Sequence, residues 1–156
     1  MPPVVRRILL GILIVAAQWL VFGRLRLWGA YPDVVLLFVA WIGIRQGRRT
    51  GALSGFACGL LMDFAYDTWG LHMLVKTIVG FLLGLFPATE RDSLLIAPRQ
   101  AFTGSLVIAL VQNGIMVTLL ALQTGSRDPF LVTGLWLGSS IYTAAIGTIT
   151  SVVSDR

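Results

Sequence analysis

Apolar residues in this chain do not alternate with polar ones; they come in long runs. Six stretches, roughly 5–23, 31–45, 50–67, 70–87, 100–122 and 130–153, are dominated by aliphatic and aromatic residues and separated by short polar connections. A helical bilayer crossing takes about 20 apolar residues, and helix is the way such a run satisfies its own backbone in lipid. The pattern therefore predicts an all-α integral membrane protein, a bundle of about six transmembrane helices in one domain over 1–156. The second run is the shortest. Only the residues between Asp33 and Arg45 are free of charge there, which is about 16 Å of helix. Pro32 suits a first helical turn and Asp33 the positive end of the helix dipole. The opening MPPVVRRILLGILIVAAQW has the parts of a signal peptide. Its apolar run continues through Trp19 to Phe22 and more hydrophobic segments follow, so an uncleaved first helix is expected.

Composition reinforces the pattern. Charged residues make up 12% of the chain and hydrophobic ones 56%, whereas a soluble domain carries about 25% charged residues. A net charge of +5 raises the question of nucleic acid. Position answers it: the arginines occupy connections between apolar runs, where they set topology and meet lipid headgroups. With the N-terminus inside, Arg6, Arg7, Arg45, Arg48, Arg49, Arg91, Arg99 and Arg156 fall on the inner side. Arg24, Arg26 and Arg127 fall outside. Both termini are expected in the cytoplasm. The single cysteine, Cys58, excludes an internal disulfide, and its apolar setting suits packing better than reactivity.

Charge inside the runs is concentrated in one place, LLMDFAYDTWGLHMLVKT (60–77), which holds two aspartates, the only histidine and the only lysine. Positions four apart share a helix face. The third helix carries Gly51, Gly55, Gly59, Asp63 and Asp67 at that spacing; the fourth carries His72, Lys76, Gly80 and Gly84. The glycine halves form close-approach surfaces for a neighbouring helix or a partner. The ionisable halves meet across the DTWG turn. Counting outward from that turn predicts Asp67 level with His72 and Asp63 with Lys76, two acid–base pairs that staple the hairpin. Intramembrane ionisable groups are also functional candidates, but these lie beside a turn and away from the midplane, which favours the staple.

Remaining polar content is mild. Gln112 and Asn113 are expected to hydrogen-bond a neighbouring helix. Ser139, Thr143, Gly147 and Ser151 form a packing stripe, and of the five tryptophans, at 19, 28, 41, 69 and 136, Trp28 and Trp69 sit at expected interfaces. The 88–100 connection reads as a loop. No HExxH, GxSxG, Gly-rich phosphate loop or Cys/His cluster is present, so no catalytic or metal site is expected.

One ordered set of residues adds to this reading: Tyr31-Pro32-Asp33, an aliphatic run to Trp41, Gly51, Gly55-Phe56, Gly59-Leu60, Asp63, Gly70-Leu71-His72, Thr77 and Gly80. It resembles the rod shape-determining protein MreD family across about Tyr31 to Gly84. The resemblance implies a non-enzymatic subunit of the bacterial cell-elongation complex, in the inner membrane, without a cofactor. It implies binding to MreC and a role in positioning peptidoglycan synthesis, with MreB, RodA and a class B penicillin-binding protein as further complex members. The family is also distantly similar to the substrate-binding membrane components of energy-coupling-factor transporters. That supplies the alternative: a small-solute-binding subunit with Asp63, Trp69, His72, Lys76 or Gln112 facing a cavity.

Overall fold

A computed structural model describes residues 3–25, 30–86, 98–125 and 129–154. The expectations placed on Arg26, Trp28, Arg91, Arg127 and Arg156, and on most of the 88–100 connection, lie outside the described residues. Within them the chain is helical almost throughout. Helix α1 (Pro3–Ala17) runs without a break into a π-helical turn, Gln18–Phe22. It is followed by α2 (Val34–Gln46), α3 (Arg48–Tyr66), α4 (Leu71–Leu83) and α5 (Pro98–Thr124). A π-helical stretch, Leu131–Gly138, leads into α6 (Ser139–Ser154).

These elements match the six apolar runs in order; α1, α3 and α5 each begin two residues earlier than expected, which takes Arg48, Arg49 and Arg99 from the connections into helix, and three other ends differ further. The second helix starts at Val34, because Tyr31 to Asp33 lie outside regular secondary structure. The fourth closes at Leu83, where the chain turns and Gly84 donates to the Gly80 carbonyl at 3.2 Å. The sixth begins as π-helix, a geometry that apolar periodicity does not distinguish from α.

Among the described residues, three helical spans are long and apolar enough to cross a membrane: Val4–Phe22, Arg99–Gln123 and Leu131–Val152. Helices α2 and α4 have 13 residues each, about 20 Å against a hydrocarbon core of about 30 Å. Helix α3 has the length but carries Arg48, Arg49 and Asp63. Large apolar side chains point outward along the helices, among them Ile8, Leu13, Leu53 and Phe64. In water such a surface would aggregate; in lipid it is the solvated surface.

The chain divides into two compact units, Met1–Arg24 with Val35–Pro87, and Leu25–Val34 with Ala88–Arg156. The first is built on Val15, Val35, Val39, Cys58 and Met62, with Ile14, Phe38 and Tyr66 packed against them. Cys58 is buried there as a small packing residue. In the second, α5 buries Ala101, Ser105, Ala109 and Gln112, and α6 buries Ser139, Ser140, Thr143 and Ala144. These residues recur every three or four positions, the period of one helix face.

Candidate functional site

The α3–α4 hairpin brings backbone against backbone. A Cβ on Gly51 would meet the Gly80 carbonyl, one on Gly55 the Lys76 carbonyl, and one on Gly59 the His72 carbonyl and the Met73 backbone. Gly80 faces Gly51 in return, and Gly84 faces Arg48. From α2, Gly43 faces the Gly80 carbonyl. These glycines are occupied by packing within the first unit.

Their contacts also set the register, and the register changes the pairing. Gly55 is level with Lys76 and Gly59 with His72, so Asp63 lies a turn beyond, above the start of α4. The acid that meets His72 is therefore Asp63, at 3.2 Å from Oδ1 to Nδ1, and not Asp67. Asp67 sits past the end of α3, exposed, in the left-handed region at φ 55°. Lys76 is one turn deeper, opposite Gly55 and 1% exposed.

Asp63 does more than pair with a histidine. Helix α4 begins after Gly70, which lies at φ 82° and has no side chain with which to cap. The first N–H groups of a helix need an acceptor, most often an Asp, Asn, Ser or Thr immediately before it. Here Asp63 supplies that acceptor from the preceding helix. The His72 N–H donates to Oδ1 and the Met73 N–H to Oδ2, both at 2.9 Å. The negative carboxylate also sits at the positive end of the α4 dipole. The cap is borrowed across the turn, and it holds the hairpin shut.

Thr68 completes the cluster. Its hydroxyl donates to Asp63 Oδ1 at 2.8 Å and lies 2.7 Å from His72 Nδ1. With the hydroxyl proton given to Asp63, Thr68 is left to accept, so the network is satisfied when Nδ1 carries hydrogen. Tyr66 stacks on the imidazole at 5.8 Å between ring centroids and donates its hydroxyl to the Gln18 carbonyl at 3.3 Å. That contact ties the hairpin to the π-helical end of α1. Nucleophilic catalysis needs the hydroxyl and the carboxylate on opposite imidazole nitrogens. Here both lie at Nδ1, so the cluster is not arranged as a triad.

The second unit has its own buried polar cluster around Pro32 and Asp33. The Tyr31 N–H donates to Ser139 Oγ at 3.2 Å, and the Asp33 N–H to Thr143 Oγ1 at 3.0 Å. Ser139 and Thr143 are four apart and share one face of α6, so both hydroxyls meet the non-helical Tyr31–Asp33 segment. Gln112 Nε2 donates to Asp33 Oδ2 at 2.7 Å, and Asn113 Nδ2 to Ser140 Oγ at 3.1 Å. Sequence reasoning placed Gln112 and Asn113 in helix contacts and Ser139 and Thr143 on a packing stripe, but missed what they hold. The available signal was Pro32, which disfavours helix in the residue before it and so leaves N–H groups seeking acceptors.

Comparison with known proteins adds the family. No curated protein and no solved structure matches the chain. The model of one protein family, the rod shape-determining protein MreD, matches residues 4–136. That span covers the glycine-packed hairpin, the Asp63 cap and the Pro32-Asp33 segment with its Gln112 partner. A membrane chain built this way, matched over most of its length, belongs to the MreD family of shape-determining proteins.

Proposed function

We propose that this chain is a non-enzymatic inner-membrane subunit of the bacterial cell-elongation complex, and that it binds MreC and helps position peptidoglycan synthesis. The family match over residues 4–136 carries this reading. The use of the ionisable residues supports it. Both oxygens of Asp63, the Thr68 hydroxyl and His72 Nδ1 are directed at one another and at the start of α4. Such a cluster suits a structural fastening more than a substrate or ion pathway. MreB, RodA and a class B penicillin-binding protein are the other proposed members of the assembly. Because Gly51, Gly55, Gly59, Gly80 and Gly84 meet backbone inside the first unit, MreC is assigned to an outward-facing surface. The arginine-rich side, with both termini, is proposed to face the cytoplasm.

Affinity purification of the tagged chain from native bacterial membranes, with identification of what accompanies it, tests the proposal. MreC is the expected partner, and depletion of the chain should round rod-shaped cells. Recovery without MreC, together with retention of a small solute, would overturn it in favour of the transporter subunit.

A further inference from the structure

Arginine is unevenly placed in the first unit. Arg6 and Arg7 lie in the first turns of α1, Arg45 in the last turn of α2, and Arg48 and Arg49 at the start of α3. The fold gathers them at one end. Arg7 Nη1 donates to Gln46 Oε1 at 2.5 Å, which ties the beginning of α1 to the end of α2. Gly47, at φ 83°, is the single residue between α2 and α3. Arg6, Arg45, Arg48 and Arg49 are exposed and Arg7 is half-buried.

A topology signal requires only that cations lie on one side of the membrane. This arrangement goes further. Arg48 and Arg49 occupy the positive end of the α3 dipole, where cations are disfavoured. The first turns of α1 and α3 hold no acidic residue, and no side chain caps α3. The unit's acids, Asp63 and Asp67, lie at the opposite end of α3. Asp63 is about 22 Å along the helix from Arg48, beyond a screening length of about 8 Å. Among the described residues none of these arginines pairs with a carboxylate; Arg45 lies over the Trp41 ring and in the last turn of α2, and an external anion would relieve the like-charge repulsion that remains.

The surroundings say which anion. Val4 and Ile8, beside Arg6 and Arg7, are 58% and 57% exposed, and Leu53, a turn from Arg49, is 69% exposed. Guanidinium groups adjoining outward apolar side chains match a molecule with a phosphate at one end and acyl chains at the other. We propose that this arginine end binds the headgroup phosphate of an anionic phospholipid, with the acyl chains along Ile8 and Leu53.

The test uses the full chain in neutral detergent, titrated with phosphatidylglycerol, phosphatidylcholine or inorganic phosphate, with the thermal unfolding midpoint as readout. Phosphatidylglycerol should raise the midpoint, progressively less as salt rises; phosphatidylcholine and inorganic phosphate should not. The double variant Arg48→Gln/Arg49→Gln, at exposed positions, should lose about tenfold in apparent affinity for phosphatidylglycerol, equivalent to 1.4 kcal/mol. Arg48→Lys/Arg49→Lys should keep most of the affinity, and Arg24→Gln, at the other end of the first helix, should keep all of it. An equal response from the double glutamine variant and the wild type would overturn the proposal. So would an equal response to inorganic phosphate, which would mark a soluble-anion site. A response confined to an acidic partner peptide would make the patch a protein-docking surface and would equally overturn it.

Discussion

Asp63 is one carboxylate serving three donor residues: Thr68 through its hydroxyl, and His72 and Met73 through their backbone N–H groups. Each oxygen takes one of the two backbone donors, so both must be acceptors. Asparagine has the same shape but turns one oxygen into a donor that faces another donor. Asp63→Asn should therefore cost about 1–3 kcal/mol in reversible unfolding in mixed micelles. It should also speed hydrogen exchange at the His72 and Met73 amides, and unchanged exchange would remove the capping role. Much of this cluster was legible in the sequence: Asp63 and His72 stood out as charge within an apolar run. Their geometry was not. Counting outward from the turn assumes that both helices run up to it at equal height, whereas glycine contacts deeper in the hairpin decide the height. Asp33 shows the same limit. Its place beside Pro32 was visible, but its bond to Gln112 joins positions 79 apart in sequence.

Among the elements, the α3–α4 pair depends on the absence of side chains at its contact. At Gly55 even a methyl group would strike the Lys76 carbonyl. Gly55→Ala should destabilise the protein by about 1–3 kcal/mol, because backbone cannot move aside as a flexible side chain can. Gly104, in α5, has nothing within 4 Å of where its Cβ would be. Gly104→Ala should be neutral or stabilising, by up to about 1 kcal/mol, since alanine favours helix over glycine. The same chemical change should thus give opposite signs in one unfolding assay. A four-residue glycine period shows that something comes close on that face; it does not say whether the neighbour is internal. Element order was readable because six apolar runs are a strong signal. The π-helical stretches were not, because they alter hydrogen bonding while leaving the apolar pattern almost unchanged.

For the whole molecule, the test that separates a structural subunit from a coupling device is Lys76→Met. Lys76 is 1% exposed at the glycine contact, and methionine keeps most of its length while removing the ammonium. On the proposed reading the variant should insert and restore rod shape in cells lacking the native chain, as scored by cell width. Normal insertion with lost shape would mean that the lysine acts beyond structure. Membrane character and family were both readable from the sequence, through the scarcity of charge and through spacings that resist chance. Division into two units was not, since apolar runs carry no label for the neighbours they choose. The glycine contact also has a mechanical side. A side-chain interface can absorb movement by changing rotamers, but an interface of main chain on main chain has no such slack. The arginine end and the Asp63 end of the hairpin should therefore behave as the two arms of a stiff lever, each displaced when the other is pushed.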